Sequence, residues 1–252
     1  MGAVCRILTL VGCYCLSHRL SLIEAATKDV AIGSAVTLRH VNTQGGNLHS
    51  HAHVYPGGSG RTSFSLYLPW LEAQETNTEQ QVTLYPHSDF NNDWRIIAAK
   101  DSGHPETEWA DEPLQYVTSG TKVRLRHIVT DKNLHSHDFR PPVSDVDFQN
   151  EVSAYGMSGF VGDANDDWFI EIEHGDKSDK ESSSRLRTLR TVFRLRHALT
   201  GCHLFSHKVK LPDWGFEQQE VTCNKNAMKA NSLWMIETAI HPNRQYQRSS
   251  QI

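Results

Sequence analysis

Two imidazoles flank a serine in His49-Ser50-His51 and again in His135-Ser136-His137, each time directly after a leucine. Histidines at i and i+2 of an extended strand project from one face. Nitrogens placed that way can share a zinc ion or exchange a proton near neutral pH. A stable zinc site needs a third and a fourth ligand, and no cysteine or glutamate stands close to either pair in the sequence. A third copy, Leu204-Phe205-Ser206-His207, replaces the first histidine with phenylalanine. The spacing therefore argues against a metal, and no metal ligand is expected. The favoured use is a polar, serine-bridged patch that binds a ligand. Its candidate residues are His49, Ser50, His51, His135, Ser136, His137, Phe205, Ser206 and His207.

The chain holds no P-loop, no dinucleotide fingerprint, no Gly-x-Ser-x-Gly elbow and no His-Glu-x-x-His. Carboxylates gather in the turns Asn91-Asn92-Asp93 and Asp163-Ala164-Asn165-Asp166-Asp167. These turns recur before a tryptophan, which marks them as structural rather than catalytic. No evident acid is paired with an evident base. No catalytic residue and no cofactor is expected.

The elements that hold the histidines are repeated three times. Leu38-Arg39-His40, Leu125-Arg126-His127 and Leu195-Arg196-His197 each precede one copy of the histidine pattern. A Gln-containing strand follows each copy, around Val82, Val152 and Val221. A tryptophan strand comes next, at Trp94, Trp168 and Trp234. Spacing differs in one place: 31 residues separate His51 from Val82, against 15 from His137 to Val152 and 14 from His207 to Val221. Internal repetition of this kind decides the architecture. Val36, Leu38 and His40 alternate with Thr37, Arg39 and Val41, a period of two that makes a strand with an apolar and a basic face. His40, His127 and His197 fall on the apolar face and are expected to be core histidines, with Trp94, Trp168 and Trp234 as core tryptophans. Turn residues before Leu48, Leu134 and Leu204 make each copy a hairpin, with the pairs His49/His51 and His135/His137 facing outward near loop ends. A repeat of about four strands cannot bury its apolar face alone. Three of them closing on a pseudo-threefold axis give an all-β fold, a β-trefoil. A propeller usually needs more blades, and a solenoid shows more uniform repeats.

The chain has 252 residues and a net charge of −4. A mild negative charge gives no electrostatic case for nucleic acid. The fifteen histidines make that charge sensitive to pH. Residues 1–28 carry Arg6, an apolar run from Ile7 to Leu16 and small residues at Ala25-Ala26, read either as a secretory signal peptide or as an artefactual extension. The run is too short to span a bilayer. Residues 57–78 break the repeat and are read as an insertion, with an apolar flap over a site as the alternative. Residues 174–190 are charged and serine-rich and are expected to be a mobile loop. Residues 243–252 form a polar tail. Three trefoil copies are placed at about 29–100, 115–173 and 190–240, within a domain from 29 to 242. Cys202 and Cys223 lie on neighbouring strands, either disulfide-bonded or both free. Tyr55, Tyr85, Tyr155 and Trp214 stand next to polar turns and offer faces for stacking on a sugar or peptide.

The strings Thr43-Gln44-Gly45-Gly46-Asn47-Leu48-His49-Ser50-His51, Val82-Thr83-Leu84-Tyr85-Pro86-His87 and Leu211-Pro212-Asp213-Trp214-Gly215-Phe216 through Cys223 resemble MIR motifs. Such motifs are shared by protein O-mannosyltransferases, inositol trisphosphate and ryanodine receptors and stromal-cell-derived-factor-2-like proteins. The resemblance covers about 29–56 and 79–242, and points most to fungal dolichyl-phosphate-mannose–protein mannosyltransferases of the second subfamily. It implies a lumenal endoplasmic reticulum module that binds mannosyl glycans or acceptor polypeptide, beside other mannosyltransferase subunits. It implies no transfer chemistry, since the family's catalytic Asp-Glu pair lies in a loop outside the matched span. The alternative it carries is a free endoplasmic reticulum MIR protein, acting as an interaction or chaperone-cofactor module.

Overall fold

Alternation of apolar and polar side chains sets down twelve strands among the residues described by the computed structural model: 28–43, 46–56, 79–99, 114–144, 149–175, 184–226 and 228–241. Each copy supplies four. The first holds β1 (Ala35–His40), β2 (Asn47–Val54), β3 (Gln80–Tyr85) and β4 (Asp93–Ala98). The second holds β5 (Lys122–His127), β6 (Lys132–Ser136), β7 (Gln149–Tyr155) and β8 (Trp168–His174). The third holds β9 (Val192–His197), β10 (His203–Lys210), β11 (Gln219–Asn224) and β12 (Trp234–Ile240). The sequence regions 1–27, 57–78 and 242–252 lie outside the described residues, and so do the leader, insertion and tail expected there.

The first and last strands of the copies form a closed barrel. β1 pairs β4, β4 pairs β5, β5 pairs β8, β8 pairs β9, β9 pairs β12, and β12 returns to β1. The middle strands form three hairpins, β2–β3, β6–β7 and β10–β11. β3, β7 and β11 also pair with one another and close one barrel end. A six-stranded barrel closed by a triangle of hairpins is a β-trefoil. At the other end, three short segments complete a ring of backbone bonds: Val30 N–H to the Leu186 carbonyl, Leu186 N–H to Val117, and Val117 N–H to Val30, each 2.8 Å. Residues 184–190 therefore belong to the third copy, because Arg185 and Arg187 pair with the entering segments of the other two copies. Only 176–183 of the expected 174–190 loop lies outside the described residues.

The core is triplicated as well. Trp94, Trp168 and Trp234 are fully buried. Each indole N–H donates at 3.0 Å to the carbonyl of the leucine that opens its own histidine motif: Leu48, Leu134 and Leu204. His40, His127 and His197 are also fully buried, each against the tryptophan of another copy at 4.8–5.0 Å between ring centroids. Their Nε2 atoms reach the carbonyls of Asn231, Asn91 and Asn165. A carbonyl only accepts, so Nε2 carries the proton and Nδ1 accepts from the hydroxyl of Thr43, Thr130 or Thr200, each at 2.8 Å. Each imidazole thus locks its copy to a turn of another, and the three locks run once around the axis. Burial lowers all three from the ordinary histidine value, His127 to about 4, against the opposing pull of the carbonyl bond.

One arginine of the first strands does not face water. Arg124 is only 3% exposed, and its Nε donates to Asp167 at 2.6 Å. Cys202 and Cys223 form a disulfide, with Cα atoms 5.3 Å apart, that ties the start of the third hairpin to β11. The equivalent place in the first copy is filled by Gly46 against Leu84, where a Cβ would come within 3.1 Å of the leucine.

Candidate functional site

The serines of the three histidine motifs face inward. Ser50, Ser136 and Ser206 are buried and donate to the backbone carbonyls of Gln81, Glu151 and Glu220 on the neighbouring strand. They hold the hairpins together and present no hydroxyl to a ligand. The first histidine of each pair is also not outward. His49 and His135 are each 3% exposed. Period two places them opposite the core leucine, but the 3-10 turns Phe90–Asn92 and Ala164–Asp166 cover that second face. Tyr85 and Tyr155 tilt over the same two rings, with centroids 4.9 and 4.8 Å away. His51, His137 and His207 are the partly exposed members.

Each buried first histidine has a matched partner two residues before the tryptophan. His49 Nδ1 meets Asn92 Oδ1 at 2.8 Å. His135 Nδ1 meets Asp166 Oδ1 at 2.8 Å. In the third copy the positions hold Phe205 and Ser232, and Ser232 turns to the Lys229 carbonyl instead. The sequence carried one sign of this pairing: the copy that lacks the first histidine also lacks an amide or carboxylate two residues before its tryptophan. Burial lowers His49, and Asn92 only partly opposes it. Burial also acts on His135, but the hydrogen bond and charge of Asp166, with Glu79 and Asp163, outweigh it and hold this imidazole above the ordinary value.

The second copy extends further. His135 Nε2 lies 2.9 Å from His137 Nδ1. Glu79 Oε1 lies 3.9 Å from the same nitrogen. Glu79 is in the first copy, just before β3, and reaches the pair because Gln81 of β3 registers with Ser153 of β7, and Ser153 with His135 of β6. The other oxygen of Glu79 accepts from Ser153 Oγ at 2.5 Å. No spacing rule connects Glu79 with His135, so sequence reasoning missed it. A charged His135 donating to both Asp166 and His137 leaves His137 neutral. Burial lowers His137 too, with Glu79 opposing and His135 reinforcing.

The third and first copies use their last histidine differently. His207 Nε2 sits 3.1 Å from Ser144 Oγ and 3.3 Å from Glu220 Oε2. Glu220 is 1% exposed. Burial raises its carboxyl, but His207 and the Ser144 and Val143 donors more than reverse this and hold it below the carboxylate range. His51 instead stands in an aromatic cluster. Its ring meets His53 at 4.9 Å and Phe216 at 5.2 Å, and His53 meets Phe216 at 4.8 Å. Burial and the neighbouring histidines hold His51 down to about 4. Tyr55, whose ring meets Trp214 at 6.2 Å, is buried, and its hydroxyl sits between the Val82 and Val152 carbonyls at 3.0 and 3.2 Å.

Residues 48–237 match the MIR domain family profile. The chain belongs to the MIR domain family. This MIR domain is 50% identical over 215 residues to dolichyl-phosphate-mannose–protein mannosyltransferase 1 of Saccharomyces cerevisiae, an alignment covering 85% of this chain and 24% of that protein. It is 35% identical to mannosyltransferase 2 of Candida albicans, over 81% of this chain and 24% of that one. The emphasis on the second subfamily therefore gives way to the family as a whole. A chain of the S. cerevisiae protein O-mannosyltransferase Pmt1–Pmt2 complex bound to the sugar donor matches with TM-score 0.71 at 48% identity, covering 87% of this chain and 26% of that one. The SDF2-like protein of Arabidopsis thaliana matches with TM-score 0.65 at 27% identity, over 85% of this chain and 97% of that one. The chain spans about a quarter of the curated transferases it matches. Among the described residues no helix is long and apolar enough to cross a membrane.

Proposed function

We propose that this MIR domain serves a protein O-mannosyltransferase as a lumenal endoplasmic reticulum module that binds mannosyl glycan or acceptor polypeptide, beside other transferase subunits. It does so without supplying the transfer chemistry. The observation that carries this reading is the platform at the seam of the first and third copies. Phe216 is 52% exposed and sits at φ 56°, in the left-handed region that bulky residues rarely occupy. Its neighbour Glu217 is also left-handed, at φ 53°. Strain of this kind persists where surrounding structure enforces it and clusters at binding sites. Here it holds an aromatic face next to the neutral His51 and to His53. A flat apolar surface flanked by imidazole edges suits a pyranose ring, or a peptide's apolar side chain and backbone. The Cys202–Cys223 disulfide suits an oxidising lumen.

Titration of the isotope-labelled chain by NMR tests the reading, with mannose and a mannosylated acceptor peptide as probes. Expected are amide shifts concentrated at His51, His53 and Phe216 that vanish in Phe216→Ala. Their absence at millimolar probe contradicts the reading. Capture of a lumenal protein that survives excess mannose transfers the case to an interaction module.

A further inference from the structure

We infer that Glu79, His135 and His137 form a binding site for a divalent transition-metal ion, zinc by preference, that joins the first copy to the second. Nitrogen or oxygen atoms from these three residues all lie within 4.8 Å of one another. His135 Nε2 and His137 Nδ1 are 2.9 Å apart, and Glu79 Oε1 is 3.9 Å from the latter. Tetrahedral zinc at about 2.0–2.1 Å from nitrogen or oxygen keeps its ligand atoms roughly 3.3 Å apart. The two imidazoles would part by about half an ångström, and Glu79 would close on His137 by about as much and move toward His135 as well. Two imidazoles and a carboxylate are a zinc-type donor set, whereas magnesium and calcium favour oxygen alone. The exposed edge of His137 leaves the fourth position to water.

The outer shell is already built. A metal-ligating histidine ordinarily donates its other ring N–H to a carboxylate or carbonyl, which fixes the tautomer and orients the ring. Asp166 does this for His135 at 2.8 Å, leaving Nε2 for the metal. Asp166 is fully buried and is held by the Asp163 N–H at 2.8 Å and by Asn133 Nδ2 at 3.3 Å. Ser153 holds the second oxygen of Glu79. On binding, the proton that a charged His135 holds on Nε2 leaves to solvent, and Glu79 and Asp166 then supply the two negative charges that balance a dication between neutral imidazoles. A competing grouping of His135, Asp163 and Asp166 is consumed by the turn itself: Asp163 Oδ1 accepts from the Asn165 N–H and Asp166 Oδ2 from the Asp163 N–H. The other copies are internal controls. His49 has the amide Asn92 where His135 has Asp166, and Phe205 removes the first ligand outright.

The test is zinc titration of the full chain by calorimetry at pH 7.5, with cobalt as a spectroscopic probe. Expected is one zinc per chain more in the parent than in Glu79→Gln or His137→Ala, and loss of tetrahedral cobalt bands in both variants. His51→Ala retains the full count. Asp166→Asn weakens binding about 10–100-fold while leaving the three ligands in place. Near-UV circular dichroism reports folding, and the partly exposed His137 and the isosteric Glu79→Gln change leave the core intact. Zinc held elsewhere in the chain survives all these substitutions and cancels in the difference. Equal zinc counts in the parent, Glu79→Gln and His137→Ala, or no zinc bound by the folded parent, overturn the inference.

Discussion

His49 and His135 occupy the same place in successive copies of one repeat and are equally buried, yet they end shifted in opposite directions, because the partner of one only partly opposes burial and the partner of the other overcomes it. Each lies under a tyrosine ring and bonds through Nδ1 to a turn residue 2.8 Å away. The partner is an amide in the first copy and a carboxylate in the second. Burial alone pushes an imidazole toward neutrality, and this wins at His49. The buried negative charge of Asp166 wins at His135. The third copy dispenses with the ionisable pair and keeps the shape with Phe205. The backbone of the trefoil thus fixes where a side chain sits, while its partner decides its charge. The third copy changes both members, because losing the histidine alone would leave a buried polar group without its complement.

The largest effect follows from splitting such a pair. His135→Phe strands Asp166 in the core and is expected to cost about 3–5 kcal/mol. Adding Asp166→Ser copies the third repeat and should recover most of that loss. Denaturant unfolding of both variants checks this, and a double variant no more stable than the single one would separate the two residues.

The shared clamp comes next. His127 is neutral in the folded protein down to about pH 4, while its unfolded value is near 6.5. Between these values the unfolded chain binds a proton that the native state refuses, so stability falls as pH drops. This site alone should remove about 3 kcal/mol between pH 7 and pH 4. Unfolding free energies across that window, compared with those of His127→Gln, isolate its share.

A smaller change sharpens the contrast between copies. Asp166→Asn gives the second copy the partner of the first and should bring His135 below the ordinary histidine value, at about 1–2 kcal/mol near neutral pH. The raised value of His135 stabilises the native state fully below its unfolded value, and this contribution fades as pH rises through the folded one. The variant should therefore differ more from the parent at pH 6 than at pH 8.5 in thermal or denaturant unfolding. The smallest effect is expected at Phe216→Ala, within about 0.5 kcal/mol in stability, with its consequence confined to ligand titration.

Much of the scaffold was legible in the chain because period two and triplication are local properties. They place Leu38, Leu125, Leu195 and the three tryptophans in the core and make closure of three copies the economical way to bury them. The partners were not legible. His40 is held by Asn231 and His135 faces Glu79, contacts that exist only after the copies close on one another. The outward reading of His49 and His135 failed for a similar reason. Alternation tells which face of a strand opposes the core leucine, but not that a turn from the same copy folds over the opposite face. The serines failed because a hairpin strand can bury both of its sides. The residues before the tryptophans were read as turn formers, which they are: Asp163 and Asp166 form a capping box. Their second use as histidine partners shows only against the other copies.

Proton NMR titration of the histidine ring resonances in the intact chain tests the central comparison most directly. The resonance of His135 should titrate above the ordinary histidine value of about 6.5 and that of His49 below it, with His135 crossing over in Asp166→Asn. Titration of both residues on the same side of that value, or a His135 curve unmoved by Asp166→Asn, would contradict the account.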